Sequence, residues 1–340
     1  MTRSGFETQK SSGKFRWPNL PVARAAGHSP ALQPFGNAPV SSQFFISAAG
    51  SICVAGAIAS WLISRMPLAR MTILGSGSSG NCAFLETLEA RLLIDAGLSG
   101  RQIRQRLLTI GRTPENLTGI LITHEHSDHV QGLAVLAAKL QVPVYCNRLT
   151  RESIESQFDI PPQFRIFETG STFAIGDVEV ETFSVPHDAA DPVGFLIHTA
   201  AGNIGFLTDL GYATKLIIQR VRTCNVLLLE TNHDLKLLQD DTRRPWSVKQ
   251  RILGRHGHLS NDAAAEVAEQ VMSAELAHLY LGHLSSDCNR PDLAHAALTE
   301  RLDQIGARHV HVETTSQDVP CPTISLGNEM ERQAELRLSV

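Results

Sequence analysis

One stretch, Leu121-Ile122-Thr123-His124-Glu125-His126-Ser127-Asp128-His129, constrains this chain more than any other. Three imidazoles and two carboxylates fall within six consecutive residues, directly after an apolar run (Ile120, Leu121, Ile122) that reads as a buried strand. A buried strand delivers its end to a fixed place, and a polar loop leaving that end can aim several ligands at one point. Imidazole suits zinc, manganese and iron, and carboxylate adds charge and can bridge two ions. His-x-His puts two imidazoles on one side of an extended segment. Asp128-His129, where the chain should turn into a helix, offers a second pair to a neighbouring ion.

The rest of the composition narrows the setting. With 340 residues and 43% hydrophobic content, the chain can build one large α/β domain with an ample core. A net charge of −4 gives no global positive field, so nucleic-acid binding would need a local basic patch. Six cysteines (Cys53, Cys82, Cys146, Cys224, Cys288, Cys321) are scattered without a Cys-x-x-Cys pair. That argues against a cysteine zinc site or a disulfide scaffold and fits a reducing, cytoplasmic setting.

Residues 1–43 mix Ser, Pro, Gly, Asn and basic residues without periodicity and read as a disordered extension. Residues 44–64 are uncharged and, at 21 residues, long enough to span a bilayer, which would make the protein membrane-anchored. Basic residues on both sides leave the orientation open, and the segment is a poor signal peptide. A third reading starts translation at Met66 or Met71 and makes everything before it a misassigned extension. The domain is expected over 66–325, with a tail at 326–340.

Strands are expected at Met71–Leu74, Cys82–Leu88, Arg91–Ile94, Ile120–Ile122, Val142–Tyr145, Arg165–Phe167, Val178–Phe183, Phe195–His198, Ile204–Leu207, Val226–Leu229, His278–Leu281 and 309–313. Helices are expected from Ser99 through Leu108, over Val130–Leu140, Pro245–Gly254, Asn261–Met272 and 291–303. Strands come in groups with helices between them, and polar residues recur at strand ends. Two mixed sheets with helices outside suit that order better than a doubly wound sheet.

Those strand ends complete a ligand set of His124, His126, Asp128, His129, His187, Asp209 and His283. Seven ligands are too many for one tetrahedral ion and right for two, with one carboxylate between them. Two divalent ions roughly 3.5–4 Å apart polarise a substrate oxygen and hold a hydroxide. A metal-bound water has a pKa of about 7. The natural reaction class is hydrolysis of an ester, thioester, amide or phosphodiester.

His-x-His-x-Asp-His, followed by a lone His, an Asp and a final His, resembles the metallo-β-lactamase superfamily. The segments LGSGSSGNC (74–82), LLIDAGLS (92–99), HDAADPVGF (187–195), TDLGYAT (208–214), LETNHD (229–234), PWSVKQRILGRHGHLSN (245–261) and GHLS (282–285) further resemble its YycJ/WalJ-type branch. The match covers about residues 71–315. The resemblance implies an αββα sandwich without an inserted β-CASP domain, and DNA exonuclease activity from the 5′ end. It implies one ion, Zn²⁺ or Mn²⁺, on His124, His126 and His187. It implies another on Asp128, His129 and His283, with Asp209 bridging and Asp128 doubling as a catalytic carboxylate. Gly-His-Leu-Ser at 257–260 is similar to a motif of ribonuclease Z, which makes His258 a candidate proton donor and Glu230 its orienting partner.

Phosphodiester as the substrate bond rests mainly on that branch. The residues add Arg243, Arg244, Lys249, Arg251 and Arg255, a local cationic run that could track a phosphate backbone. The Gly75–Asn81 loop is no P-loop, since no Lys-Ser/Thr follows, but its small residues can turn backbone N–H groups toward an anion. Ser76, Ser78, Asn81 and Arg251 are the candidate phosphate contacts. Apart from Trp246 no stacking aromatics accompany the run. A two-metal phosphodiesterase acting on DNA ends is the leading reading. A small-ester or thioester hydrolase of glyoxalase II or lactonase type is the alternative. Oligomeric state is not legible.

Overall fold

The computed structural model describes residues 68–327. The expectations for 1–43 and 44–64, and all but the first residues of the tail, lie outside the described residues. Among the described residues no helix is long and apolar enough to cross a membrane.

The chain opens with an antiparallel meander of β1 (Ala69–Gly75), β2 (Cys82–Glu86) and β3 (Arg91–Ile94), then adds β4 (Gly119–Leu121), β5 (Val144–Asn147) and β6 (Phe164–Phe167) in parallel. The second half begins with another antiparallel run, β7 (Thr172–Ile175), β8 (Val178–Ser184), β9 (Val193–Thr199) and β10 (Gly202–Leu207). It then adds β11 (Val226–Glu230), β12 (His278–Gly282) and β13 (His311–Thr314) in parallel. A last strand, β14 (Ile324–Leu326), returns to pair with β1. Two seven-stranded sheets result, ordered β14-β1-β2-β3-β4-β5-β6 and β13-β12-β11-β10-β9-β8-β7.

Strand alternation sorts the apolar residues into three layers. Met71, Ile73, Phe195, Phe206, Leu228 and Tyr280 belong to the core between the sheets. On the outer face of the first sheet, Leu74, Leu93 and Ile120 join Ile103 and Leu107 of α1 (Gly100–Thr109), with α2 (Ser127–Val130) and α3 (Leu133–Leu140) alongside. On the outer face of the second sheet, Leu227, Leu229, Leu279 and Leu281 meet α5 (Lys215–Val221), α8 (Asn261–Val271) and α9 (Pro291–Gln304). Short helices α4 (Arg148–Ile154), α6 (Leu235–Asp240) and α7 (Trp246–Ile252) complete the set. The central parallel strands read as unbroken apolar runs because both their faces are covered. This is the expected αββα sandwich of two mixed sheets.

Capping residues mark the helix starts as the sequence implies. Ser99 and Gln102 form a capping box at α1, and the Ser260 side chain accepts from Ala263 N at α8. The expected single helix over Val130–Leu140 is instead two, because Gly132 N donates to Ala96 O and draws the chain out of register between them. The expected strand to Leu88 stops at Glu86, where Thr87 N turns back to Ala90 O. β7, β14, α4, α5 and α6 were not expected. Each is short, and β14 exists through its pairing with β1.

Candidate metal centre and active cleft

The ligand loop is fixed from both sides. β4 ends at Leu121, and Thr123 N then donates to Asp95 Oδ1 at 2.9 Å, just past the end of β3. Asn81 N donates to Asp128 O at 2.8 Å, and Ala96 N donates to His129 O at 2.8 Å. This contact is so close that a Cβ on Gly97 would sit 1.5 Å from the Asp128 carbonyl oxygen. The sequence Asp-Ala-Gly at 95–97 is therefore the seat of the loop, and Gly97 is required for backbone to approach backbone.

The seven expected ligands converge as two adjoining groups. The ligand atoms of His124, His126 and His187 lie within 4.8 Å of one another, as do those of Asp128, His129, Asp209 and His283. His124 Nε2 and His187 Nε2 face His126 Nδ1 at 3.0 and 3.3 Å. His283 Nε2 is 3.2 Å from Asp128 Oδ2 and 3.3 Å from Asp209 Oδ1. Asp209 spans the groups, its Oδ1 3.8 Å from His187 Nε2 and its Oδ2 3.0 Å from His129 Nε2. Asp95, Asp209 and His283 each follow a strand in the left-handed region, with φ of 59°, 56° and 56°. Such backbone strain gathers where surrounding contacts over-determine a site.

The outward nitrogen of each buried ring is held by protein. His129 Nδ1 donates to Asp95 Oδ2 at 2.7 Å, and His283 Nδ1 donates to Glu230 Oε1 at 2.9 Å. His187 Nδ1 donates to Gly257 O at 3.2 Å. Thr123 Oγ1 donates to Asp95 Oδ2 at 2.9 Å and accepts from His124 Nδ1 at 3.0 Å. In each ring Nε2 is thereby turned into the cluster, the arrangement that orients histidine ligands on a metal.

The donor set fits a cation. Asp209 is buried, and its Oδ2 lacks a well-formed hydrogen bond among the described residues despite the nearby His129 ring. Burial alone would raise the Asp128 carboxyl, but His129 and His283 outweigh it and hold it well below the usual range. Burial opposes protonation of His283, yet Asp209, Asp128 and Glu230 raise its pKa to about 10. The carboxylates thus favour positive charge at this point. On the other side, burial and then the neighbouring His129 keep His124 well below its ordinary value, as a neutral imidazole ligand requires.

The clusters form the floor of an open cleft of about 230 Å³, walled by Ser78, Asp188, Arg244, Val248, Arg251 and His258. His258 Nδ1 donates to Glu230 Oε1 at 2.6 Å, and its ring stacks on His283 with centroids 5.1 Å apart. Glu230 is fully buried, and its Oε2 accepts from Leu210 N at 3.0 Å and Leu259 N at 3.1 Å. The expected contact between Glu230 and His258 is present, and the same carboxylate also holds His283.

Two expected phosphate contacts are corrected. Ser76 and Asn81 are buried with their polar atoms committed inside the protein. Ser76 Oγ donates to Asn81 Oδ1 at 2.8 Å and accepts from His283 N at 2.8 Å, and Asn81 Nδ2 donates to Gly77 O at 3.2 Å. Both pin the loop under the ligands. Ser78 and Arg251 do reach the cleft. The cationic run is also less free than its sequence suggests. Arg251 pairs with Asp188, Arg244 with Asp241 and Asp287, and Arg243 with the same two acids. Lys249 donates to Gln239 O at 2.7 Å, and Arg255 lies over the Tyr212 ring at 4.5 Å.

Asp95 and Asn232 were missed. Asn232 Nδ2 donates to His283 O at 3.0 Å. Asp95 carries the same signal as Asp209, a carboxylate directly after an apolar strand, and could have been found by it.

Residues 90–283 match the β-lactamase superfamily domain. The chain is 39% identical over 237 residues to exodeoxyribonuclease YycJ of Bacillus anthracis, covering 69% of this chain and 89% of that protein. It is 41% identical over 239 residues to exodeoxyribonuclease WalJ of Streptococcus pneumoniae, covering 69% of this chain and 88% of that protein. Among solved structures, the metallo-β-lactamase fold protein YhfI of Bacillus subtilis superposes with a TM-score of 0.58 at 15% identity, over 75% of this chain and 99% of that one. With its fold, its ligand set and its sequence relatives in agreement, the chain belongs to the metallo-β-lactamase-fold hydrolases of the β-lactamase superfamily, in the YycJ/WalJ branch.

Proposed function

We propose that this protein is a two-metal phosphodiesterase that removes nucleotides from DNA ends in the 5′-to-3′ direction, in the cytoplasm. The observation that carries the reading is the 39–41% identity to two exodeoxyribonucleases across nearly their whole length. The catalytic unit is residues 66–325.

His124, His126 and His187 would hold one ion, and Asp128, His129 and His283 the other, with Asp209 shared. Zinc and manganese both suit these donors. Bound there, the ions supply Lewis acidity at the phosphate and a water nucleophile at neutral pH.

The chain's own residues do the rest. Asp95, Glu230, Thr123 and the Gly257 carbonyl hold the ligand rings in place. Asp128 and Asp209 concentrate negative charge on the cleft floor. His258 has Nδ1 committed to Glu230, which leaves Nε2 for the substrate. Burial works against protonating His258, but Glu230 outweighs it and raises the pKa, so the ring can hold a proton for the leaving oxygen. Arg251 and Ser78, at the rim, are the contacts available to a flanking phosphate.

The test incubates the full chain and Asp128→Ala with 5′- and 3′-labelled single- and double-stranded DNA and matching RNA, in Mn²⁺ or Zn²⁺. Progressive shortening of DNA from the 5′ end, absent in Asp128→Ala, is the expected outcome. No cleavage of any nucleic acid, with rapid turnover of acyl-glutathione or lactones, would replace this reading with a small-ester hydrolase.

A further inference from the structure

β12 carries His283 immediately after its C-terminal end, in the cleft, and it begins with another histidine, His278. Five residue steps of extended chain separate the two, about 16 Å at 3.3 Å per residue. Residues two apart on a strand share a face, so His278 lies on the same side as Tyr280, which is in the core between the sheets. The edge strand β13 runs parallel alongside, with His278 opposite His311 and Tyr280 opposite Glu313. That register gathers His278, His311 and Glu313 on one face, at the end of the sheet away from the cleft.

The ligand atoms of these three residues lie within 4.8 Å of one another. His278 Nε2 is 3.5 Å from Glu313 Oε2, and the His278 and His311 rings are 4.5 Å apart, inclined at 59°. An ordinary histidine–glutamate pair needs only one histidine, and a second charged ring at this distance would repel the first. Burial, and then His311, lower the pKa of His278 and favour its neutral form. Two imidazoles and a carboxylate form a three-ligand set of the kind that leaves a fourth position open on zinc. A separate feature adjoins these residues. Tyr280 is fully buried and stacks on His278 at 4.9 Å, yet its hydroxyl has no hydrogen-bond partner among the described residues. A buried hydroxyl left unpaired is costly and calls for a polar partner nearby.

We propose that His278, His311 and Glu313 form a second, separate site for a divalent transition metal such as Zn²⁺, which ties the edge strand β13 to β12. The site is independent of the cleft's chemistry. Its consequence is structural: a metal clamp across the last strand pair stabilises the edge of a sheet whose next strand carries the catalytic floor.

The experiment counts zinc in the full chain after loading and dialysis, by atomic emission, in five proteins: the natural sequence, His311→Ala, Glu313→Gln, Asp209→Asn and the double variant Asp209→Asn/His311→Ala. His311 is exposed and Glu313→Gln keeps the side chain's size, so the two variants lose ligands without opening the core. The natural chain should hold one more zinc per molecule than either His311→Ala or Glu313→Gln. Asp209→Asn should retain an ion that disappears when His311→Ala is added. Zinc should also raise the thermal midpoint of Asp209→Asn, and the rise should be smaller in the double variant. Equal zinc counts in the natural chain and both edge variants would overturn the proposal, whatever the nuclease assay gives.

Discussion

The floor and the rim of the cleft are built by different rules. The buried floor histidines have their outward atoms fixed by named partners: His129 by Asp95, His187 by the Gly257 carbonyl, His283 by Glu230. The rim arginines are held by acidic side chains. Arg251, with 67% of its side chain exposed, is paired with Asp188, and Arg244 with Asp241 and Asp287. A buried ligand held by a second partner has its geometry set before substrate arrives. An exposed ion pair is weak and exchangeable, so a phosphate can take one partner from it. The floor is suited to chemistry and the rim to substrate choice.

The largest expected effect sharpens that division. Asp209 lies between the two groups, 3.0 Å from His129 Nε2 and 3.8 Å from His187 Nε2, so Asp209→Asn should reduce DNA hydrolysis on the order of 10³-fold, the upper end of what losing one electrostatic stabiliser costs. Zinc or manganese counted in the purified variant should fall with it. If Asp209→Asn kept full metal and activity, the floor would not be the reacting centre.

Removal of a supporting partner comes next. Asp95→Asn leaves every ligand in place but weakens the carboxylate behind His129, and should cost roughly 10–100-fold in metal affinity. Titration of the apo-protein with a chromophoric chelator as competitor would measure it. Glu230→Gln affects His258 and His283 together, and should lower kcat about 10²-fold or more with little change in KM, since a general acid acts in the transition state. A variant in which KM rose and kcat held would move His258 from proton transfer to substrate binding.

How much of this was legible follows the same division. The contiguous loop from His124 to His129 announces itself because five ligand-type side chains in six residues have little other use. His187, Asp209 and His283 were legible because each follows a strand, and the sheets then bring those strand ends together. Asp95 stands at an equivalent strand end, and its part in the site shows only in its contacts with Thr123 and His129. The Gly75–Asn81 loop, expected to contact phosphate, misled for a physical reason. Small polar residues serve equally to cradle a phosphate and to satisfy buried backbone, and only the packed structure reveals that Ser76 and Asn81 do the second. The rim was least legible. Arg251 meets Asp188 across 63 residues of chain, and no local pattern encodes such a pairing. The short strand β14 was missed likewise, since only its contact with β1 defines it.

The smallest expected effect tests the rim alone. Asp188 holds the Arg251 guanidinium, and Arg251 in turn keeps the Asp188 carboxyl below its usual range even though burial pushes the other way. DNA entering the cleft offers a phosphate in place of that carboxylate. If it takes the guanidinium, Arg251→Ala should remove one phosphate contact and reduce the slope of log affinity against log salt by about 0.7–0.9. The loss should be of similar size for all sequences, with kcat at saturating DNA little changed. Asp188→Asn should act with the opposite sign, strengthening DNA binding several-fold at low salt, because the arginine no longer has to leave a partner of its own. Binding measured by fluorescence anisotropy over a salt series, with metal-depleted protein so that substrate survives, would read both. Equal slopes in the natural chain and in Arg251→Ala would mean that the ion pair stays closed over DNA, and that the rim shapes the cleft without contacting the strand.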